Sequence, residues 1–448
     1  MRGRPRAMPA AAAGGGGGRG GGGLGDAELR TLLREVGGAA PAPAAATGTR
    51  PAPTAAAGTR PSAAAAAAGT RPAAAAAGTT PEHSAWRRWR WTLRKEGGWR
   101  GVPGLASAKE VPRIRAPFPP AASVTERFLR SGSGGPAVFE GLAAEWEAVK
   151  GPAWELSRLV DRVGADTSVV ANNRAPARAR DADEVCGRQV CRTTFGQYLR
   201  YLQGQAAASY RAGGDAAPLY LNGWSAFAQP GFGPSLSADI GGAGPVAEGG
   251  GFPGVFEDDS FRTMLELDAG LKVSHSAGGD PREWAGQSDR MLNKIFMGPE
   301  GCITRFHFDA HNAHGWLAQV RGRKLFVLVP PQDSLKMSPF HHGARPGSAD
   351  AGEPSQSPVD PLDPDLGQFP EYRGAHVLVA VCRPGDVVLI PAGWWHYAVS
   401  LDGPCVTVMR NFWNLGSGNV RSLVEMFVGG IKKVMGRRHP QVPPPASS

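Results

Sequence analysis

The chain divides by where its apolar residues fall. Residues 1–82 hold few large apolar groups: a glycine run spans 14–23, and alanine tracts are punctuated by Gly48-Thr49-Arg50-Pro51, Gly58-Thr59-Arg60-Pro61, Gly69-Thr70-Arg71-Pro72 and the variant Gly78-Thr79-Thr80-Pro81. Repeats this short and this poor in core-forming side chains cannot stack into a solenoid, so they predict a disordered, partly extended arm. One island inside it, Asp26 to Val36, sets Leu29, Leu32, Leu33 and Val36 at helical spacing ahead of Gly37 and predicts a short docking helix. From about Ile114 the pattern becomes globular. A short apolar segment, Ala137-Val138-Phe139, precedes a helix carrying Leu156, Leu159, Val160 and Val163, a strand at Ser168-Val169-Val170, and a second helix with Phe195, Tyr198, Leu199 and Leu202. After Pro218-Leu219-Tyr220-Leu221 a glycine-rich stretch to about residue 288 reads as inserted loops. The final third reads as strands at 324–329, 376–381, 387–390 and 406–409, short aliphatic or β-branched runs bounded by Gly, Pro and Asp. Val420, Leu423, Val424 and Phe427 then mark a last helix, weakened at Gly429-Gly430.

These elements predict a mainly β fold, a double-stranded β-helix (jelly-roll) core with flanking α-helices, preceded by a disordered N-terminal arm. The expected organisation is an arm over 1–82, a basic Trp-rich linker or helix over 83–113, one core domain over 114–415, a C-terminal helix over 416–438 and a Pro-rich tail over 439–448.

Charge sharpens that division. The formal charge is +10, but residues 1–115 hold 18 Lys and Arg against 6 Asp and Glu, while the rest holds 31 against 33. The core domain therefore gives no reason to expect a nucleic-acid groove, and any nucleic-acid contact falls to the arm. Trp86, Trp89, Trp91 and Trp99 are interleaved with Arg87, Arg88, Arg90, Arg94 and Lys95. They suit either stacking on bases beside phosphate contacts or a helix that packs its tryptophans on the domain and keeps its arginines wet, and the neutral core favours the second. The five cysteines are an odd number without zinc-ribbon spacing and read as reduced thiols, Cys186 and Cys191 among them as packing or surface residues. No apolar run of about 18 residues exists, which predicts a soluble intracellular protein, nuclear or cytoplasmic, with no membrane contact. The Arg-rich, acid-poor beginning also fits an organelle transit peptide. The last helix either closes the core or pairs two subunits in a homodimer.

His307-Phe308-Asp309 follows a predicted strand, and in extended chain residues two apart point to one face, so an imidazole and a carboxylate converge. A third ligand belongs on the opposite wall, where the strand after Pro384-Gly385-Asp386 runs through Ile390-Pro391 to Trp394-Trp395-His396. Two histidines and one carboxylate on one face leave three positions open on an octahedral iron(II), as oxygen-activating non-haem enzymes require. His311 and His314 compete as ligands but are read as rim residues, because one extended strand cannot aim four groups at one ion. His341-His342 read as exposed loop residues and Asp386 as a turn residue beside Gly385.

The chain resembles the JmjC (cupin) family of iron(II)- and 2-oxoglutarate-dependent oxygenases, in its JmjC-only branch. The resemblance rests on Gly298-Pro299, the run Thr304-Arg305-Phe306-His307-Phe308-Asp309, Gln319-Val320-Arg321-Gly322-Arg323-Lys324, and Pro384-Gly385-Asp386 through Trp395-His396. Weaker likeness reaches upstream to Pro136–Leu142 and to Phe195, Tyr198 and Leu199, covering about 114–415. It implies iron(II) on His307, Asp309 and His396, 2-oxoglutarate as cosubstrate beside dioxygen, and a distal carboxylate of the cosubstrate held by Lys324, Thr304 and Tyr220. A buried ammonium on an apolar strand needs such an anion. Two departures stand out. Phe306 replaces a usual leucine, and two extra residues before Lys324 set Gly315 opposite a family asparagine, leaving Asn312 or His314 to substitute and Asn411 to approach from the closing strand. The resemblance implies hydroxylation of a protein side chain with release of succinate and carbon dioxide. N-methyl-lysine (histone) demethylation, hydroxylation of an RNA nucleoside through the basic arm, and a non-catalytic cupin scaffold are the alternatives.

Overall fold

A computed structural model describes residues 81–130, 132–173, 189–204, 218–241, 252, 254–256, 261, 264, 290–340 and 355–424. The arm with its Asp26–Val36 island, most of the glycine-rich stretch, Cys186, His341-His342, the last helix beyond residue 424 and the Pro-rich tail lie outside the described residues.

Described structure begins at helix α1, Pro81–Leu93, followed by short strands β1 (Lys109–Glu110), β2 (Arg113–Ile114) and β3 (Ala137–Phe139). Helix α2 (Leu156–Val163), strands β4 (Ser168–Asn173) and β5 (Gln189–Thr194), helix α3 (Phe195–Leu202) and strand β6 (Leu221–Trp224) come next. Thr194 caps α3 by accepting the backbone N–H of Gln197, which fixes where the strand ends and the helix starts. Eight strands make the barrel: β7 (Asn293–Gly298), β8 (Ile303–His307), β9 (His314–Arg321), β10 (Lys324–Val329), β11 (Leu378–Cys382), β12 (Val387–Ile390), β13 (Trp395–Ser400) and β14 (Cys405–Phe412).

They form two facing sheets, one ordered β1-β11-β10-β13-β8 and the other β2-β3-β12-β9-β14-β7-β6, and all barrel-strand pairings are antiparallel. This is the double-stranded β-helix with few helices that the strand pattern predicts. Alternation along each strand sorts side chains into three cores. Phe326, Leu328, Leu317, Val388, Ala398 and Met409 pack between the sheets. The outer face of the seven-stranded sheet, with Trp316, Ala318 and Val408, packs on α2 and α3 through Leu159, Val163, Phe195 and Tyr198. The outer face of the five-stranded sheet, with Leu325, Val327, Tyr397 and Val399, is covered by Trp86, Leu93, Trp99 and Leu105.

The Trp-rich segment is thus part of the third core. Trp86 and Trp99 are buried, and Arg88, Arg94 and Arg100 reach Asp363, Glu300 and Glu110 at 2.9, 3.0 and 2.9 Å. Only Trp91, 61% exposed and flanked by Arg90 and Arg94, keeps a ring open to solvent, so the packing alternative for this segment agrees with the fold. The start of the last helix also turns inward, with Val420, Leu423 and Val424 buried in their own chain.

One expectation changes. The run from Val387 to His396 is two strands in opposite sheets, because Pro391 lacks an N–H for a ladder and Gly393 takes φ 75°, turning the chain across the barrel.

Candidate active site

The end of β8 and the start of β13 lie side by side in one sheet, with His307 and His396 in register, so the third ligand comes from the neighbouring strand and not, as expected, from the opposite wall. Their rings sit 4.1 Å apart between centroids. Asp309, two residues past His307, brings Oδ1 to 3.8 Å from His307 Nε2 and 3.9 Å from His396 Nε2. The three ligand atoms lie within 4.8 Å of one another, and no other such group converges among the described residues.

Hydrogen bonds turn each group the same way. Nδ1 of His307 meets the carbonyl of Arg305 at 2.8 Å, and Nδ1 of His396 meets that of Trp394 at 3.0 Å. A carbonyl only accepts, so each Nδ1 carries the proton and each Nε2 presents a lone pair to the shared point. Asn411 Nδ2 donates to Asp309 Oδ2 at 2.8 Å, which leaves Oδ1 facing the histidines. Gly315 permits this: a methyl there would stand 3.2 Å from Asp309 Oδ2 and 3.8 Å from the Asn411 amide. The donor set fits a divalent first-row metal ion held on one face.

Thr304 is three residues before His307, a spacing that ordinary alternation would send to the opposite face. A bulge in β8 pairs His307 with His396 and Thr304 with Ala398, so three residues span two and Thr304 returns to the interior face. Lys324 lies deeper. On β10, Leu328 pairs with His396, Phe326 with Ala398 and Lys324 with Ser400, which separates Lys324 from the histidine level by about 13 Å of backbone.

The Lys324 ammonium is buried and donates to the Tyr220 hydroxyl at 2.9 Å and to Thr407 Oγ1 at 3.2 Å. No carboxylate pairs with it among the described residues. Burial penalises the ammonium and the Tyr220 oxygen that accepts its proton favours it, and the balance lies above the ordinary lysine value, so the lysine keeps its charge. Burial also pushes the Tyr220 phenol up, with Lys324 only partly offsetting it, so Tyr220 keeps its proton.

Donor and acceptor roles then follow. Gln319 Nε2 donates to the carbonyls of Arg321 and Gly322 at 2.6 and 3.0 Å, which leaves its Oε1 to accept the Thr407 hydroxyl at 2.9 Å. Thr407 has spent its proton and can only accept from Lys324. Tyr220 accepts from Lys324 and keeps its own O–H to give. One lysine N–H and one tyrosine O–H are left for an incoming carboxylate, in a site that also carries the Phe296 ring, 5.3 Å from the ammonium. These groups fit an anionic cosubstrate end.

Three sequence expectations need correction. His314 is no rim residue: it is buried on β9, accepts the Ala392 N–H at Nδ1 (2.9 Å) and meets Ser417 Oγ through Nε2 (2.8 Å). Burial lowers its pKa to about 3, so it is a neutral structural imidazole. Neither Asn312 nor His314 replaces the missing asparagine at Gly315, since the contact to Asp309 comes from Asn411. Asp386 is more than a turn residue, because its carboxylate accepts from Arg113 at 2.9 Å and from the backbone N–H groups of Gly141 and Arg383 at 3.1 Å. His311 is exposed, as a rim residue should be. Sequence reasoning missed Thr407 and the Gln319 role; a polar pair on inward-facing positions of two apolar strands is the signal that marks them.

The fold and this site define a cupin of the JmjC type. A family model described as "Cupin-like domain" matches residues 124–416, more than half of the chain, and the chain belongs to that family. Among curated relatives, HSPB1-associated protein 1 of Bos taurus is 34% identical over 164 residues, 36% of this chain and 29% of that protein. Lysine-specific demethylase 8 of Xenopus tropicalis is 29% identical over 125 residues, 28% of this chain and 25% of the relative. The 2-oxoglutarate and iron-dependent oxygenase JMJD4 of Gallus gallus is 31% identical over 123 residues, 27% of this chain and 26% of the relative. The matched stretch thus spans less than a third of the length of each of these relatives. No helix among the described residues is long and apolar enough to cross a membrane.

Proposed function

We propose that the protein is an iron(II)- and 2-oxoglutarate-dependent oxygenase that hydroxylates a side chain of a protein substrate, releasing succinate and carbon dioxide. The observation that carries this is a buried, charged lysine without a carboxylate partner among the described residues, facing the same barrel interior as two imidazoles and a carboxylate turned to one point. Leaving such an ammonium without an anion costs several kcal/mol, on the order of a whole buried ion pair's disruption, so a carboxylate ligand is the natural complement. Iron(II) with 2-oxoglutarate supplies the oxidising chemistry when bound. His307, Asp309 and His396 would hold the metal, and Lys324, Tyr220 and Thr304 would hold the distal carboxylate. Phe326, Leu328, Ala398 and Met409 form an apolar core between the sheets, which keeps bulk water from the reacting groups.

Demethylation of an N-methyl-lysine is the second reading, favoured by the name of one relative, Lysine-specific demethylase 8. The test is succinate formation from 2-oxoglutarate by the iron(II)-loaded protein, with fractionated cell extract as substrate source and His307→Ala and Lys324→Met beside it. Turnover that needs iron and both residues supports the oxygenase. Product heavier by one oxygen assigns hydroxylation, and formaldehyde assigns demethylation. A protein that binds neither iron nor 2-oxoglutarate is a scaffold, and the proposal fails.

A further inference from the structure

Lys294 stands on the inner wall of the barrel with no counter-ion among the described residues. On β7, Ile295 and Met297 are buried beneath the helices, so the alternate residues, Lys294 and Phe296, face the interior. The Phe296 ring does meet the Lys324 ammonium there. Register sets the height of Lys294. Phe296 pairs with Thr407, which holds Lys324, and Lys294 pairs with Met409, two residues short of Asn411, which holds Asp309. The second lysine therefore occupies the wall between the two ends of the site.

The neighbouring strand clears space for it. The β6–β7 register shifts between Leu221 and Trp224, and within that stretch Gly223 takes φ 78°. A methyl on Gly223 would rest 3.6 Å from Lys294 Cδ and 3.7 Å from the Phe296 ring, so the lysine stem and that ring lie together against a bare backbone. Lys294 is half-buried, and no carboxylate lies within ion-pair distance of it among the described residues. Its partner across the ladder, Met409, belongs to an apolar core, and packing alone would be served as well by a leucine or methionine.

We infer that Lys294 receives a second carboxylate of the molecules that enter this pocket, the first being the one at Lys324. The inference rests on the cosubstrate reading above and adds the chemical class of what lies beside it. Two sources carry such a group: an acidic side chain of the protein substrate, or a tricarboxylic acid lying in the cosubstrate position.

The test uses full-length protein loaded with manganese(II) and calorimetric titration of glutarate against tricarballylate, which adds one carboxylate to a similar chain. A partly solvated ion pair contributes about 1 kcal/mol, so wild type should prefer tricarballylate about fivefold if the tricarboxylic acid is the source. Lys294→Met should bring the two to parity and Lys294→Arg should restore the preference. In a second arm, succinate formation by the iron(II)-loaded protein at saturating 2-oxoglutarate is compared between acidic and neutral peptide pools. Stimulation by acidic peptides that Lys294→Met loses and Lys294→Arg regains assigns the protein substrate. Parity in both arms, with glutarate still bound, overturns the role of Lys294 and leaves the oxygenase standing. Glutarate that fails to bind wild type at all removes the cosubstrate pocket, and the role of Lys294 falls with it.

Discussion

The two ends of the barrel interior are held by different means. At the mouth, His307 and His396 are each oriented by the carbonyl of the residue two positions back in sequence, and Asp309 follows two residues after His307. At the deep end, Lys324 is held by Tyr220 and Thr407, 104 and 83 residues away, and Thr407 by Gln319, 88 residues away. The mouth is local apart from the Asn411 contact to Asp309, so its two imidazoles keep their geometry wherever β8 and β13 pair. The deep end is a meeting of β9, β10, β14 and the residue that precedes β6, and it needs the whole barrel closed. A lesion at the mouth should therefore change metal affinity and little else, while one at the deep end should couple cosubstrate affinity to folding.

The sharpest way to break that contrast is Lys324→Met. Loss of a charge-assisted contact to the cosubstrate, at about 1.5–3 kcal/mol, should raise KM for 2-oxoglutarate about 100-fold. Methionine of similar volume removes a buried charge without opening a cavity, so Tm should rise as cosubstrate affinity falls, the two moving together with opposite sign. A fall in Tm together with an unchanged KM would show that the lysine serves packing and would sink the deep-end assignment.

Next comes the mouth. Asn411→Ala removes the donor on Asp309 Oδ2 and frees the carboxylate to turn, and outer contacts of this kind change metal affinity 10- to 100-fold; about 30-fold weaker binding of manganese(II) is expected. Saturating metal should restore turnover with KM for 2-oxoglutarate near wild type. If KM moves and metal affinity does not, the two ends are not separable in the way their hydrogen bonds suggest.

Thr407→Val is a smaller probe of the deep end. It strips one acceptor from Lys324 and leaves Gln319 Oε1 buried without its donor, at about 1–1.5 kcal/mol for each loss. KM for 2-oxoglutarate should rise about tenfold and Tm should drop, with Thr407→Ser close to wild type in both. A rise in KM with Tm unmoved would contradict the idea that cosubstrate affinity and folding share this network.

The same contrast explains what the chain discloses before its structure is known. His-x-Asp on a strand end is visible because the chemistry is local, and Val387–Ile390 and Lys324–Val329 are visible because uninterrupted aliphatic runs have little else to form. β9 is hard to see. Gly315 and Gln319 interrupt its apolar face, the first to admit Asp309 and Asn411 and the second to turn Thr407, so function breaks the pattern that would announce the strand. His314 misleads for a related reason. It follows closely on Asp309, His311 and Asn312 in sequence, and only the segments that bring Ala392 and Ser417 to it show that it is enclosed. Thr304 is legible by resemblance alone, since the bulge that brings it inward has no sequence mark.

The smallest expected effect belongs to that enclosed histidine, which joins β9 just beyond the mouth to the segment leading into the last helix. Its Nδ1 accepts the Ala392 N–H, so a proton there would have to displace a backbone donor, and burial lowers the pKa from 6.5 to about 3. The unfolded chain binds a proton near pH 6.5 and the folded chain does not, so this group's stabilisation is complete above pH 6.5 and is lost as pH falls toward 3. Between pH 7 and pH 6 the loss is about 0.7 kcal/mol. His314→Asn keeps an acceptor for Ala392 and removes the titration, so it should be less stable than wild type at pH 7.5 yet show a flatter Tm against pH down to pH 5, both proteins being compared metal-free. Parallel Tm curves for the two would mean that the imidazole takes up its proton at the same pH in the folded and the unfolded chain, and that burial does not hold it neutral.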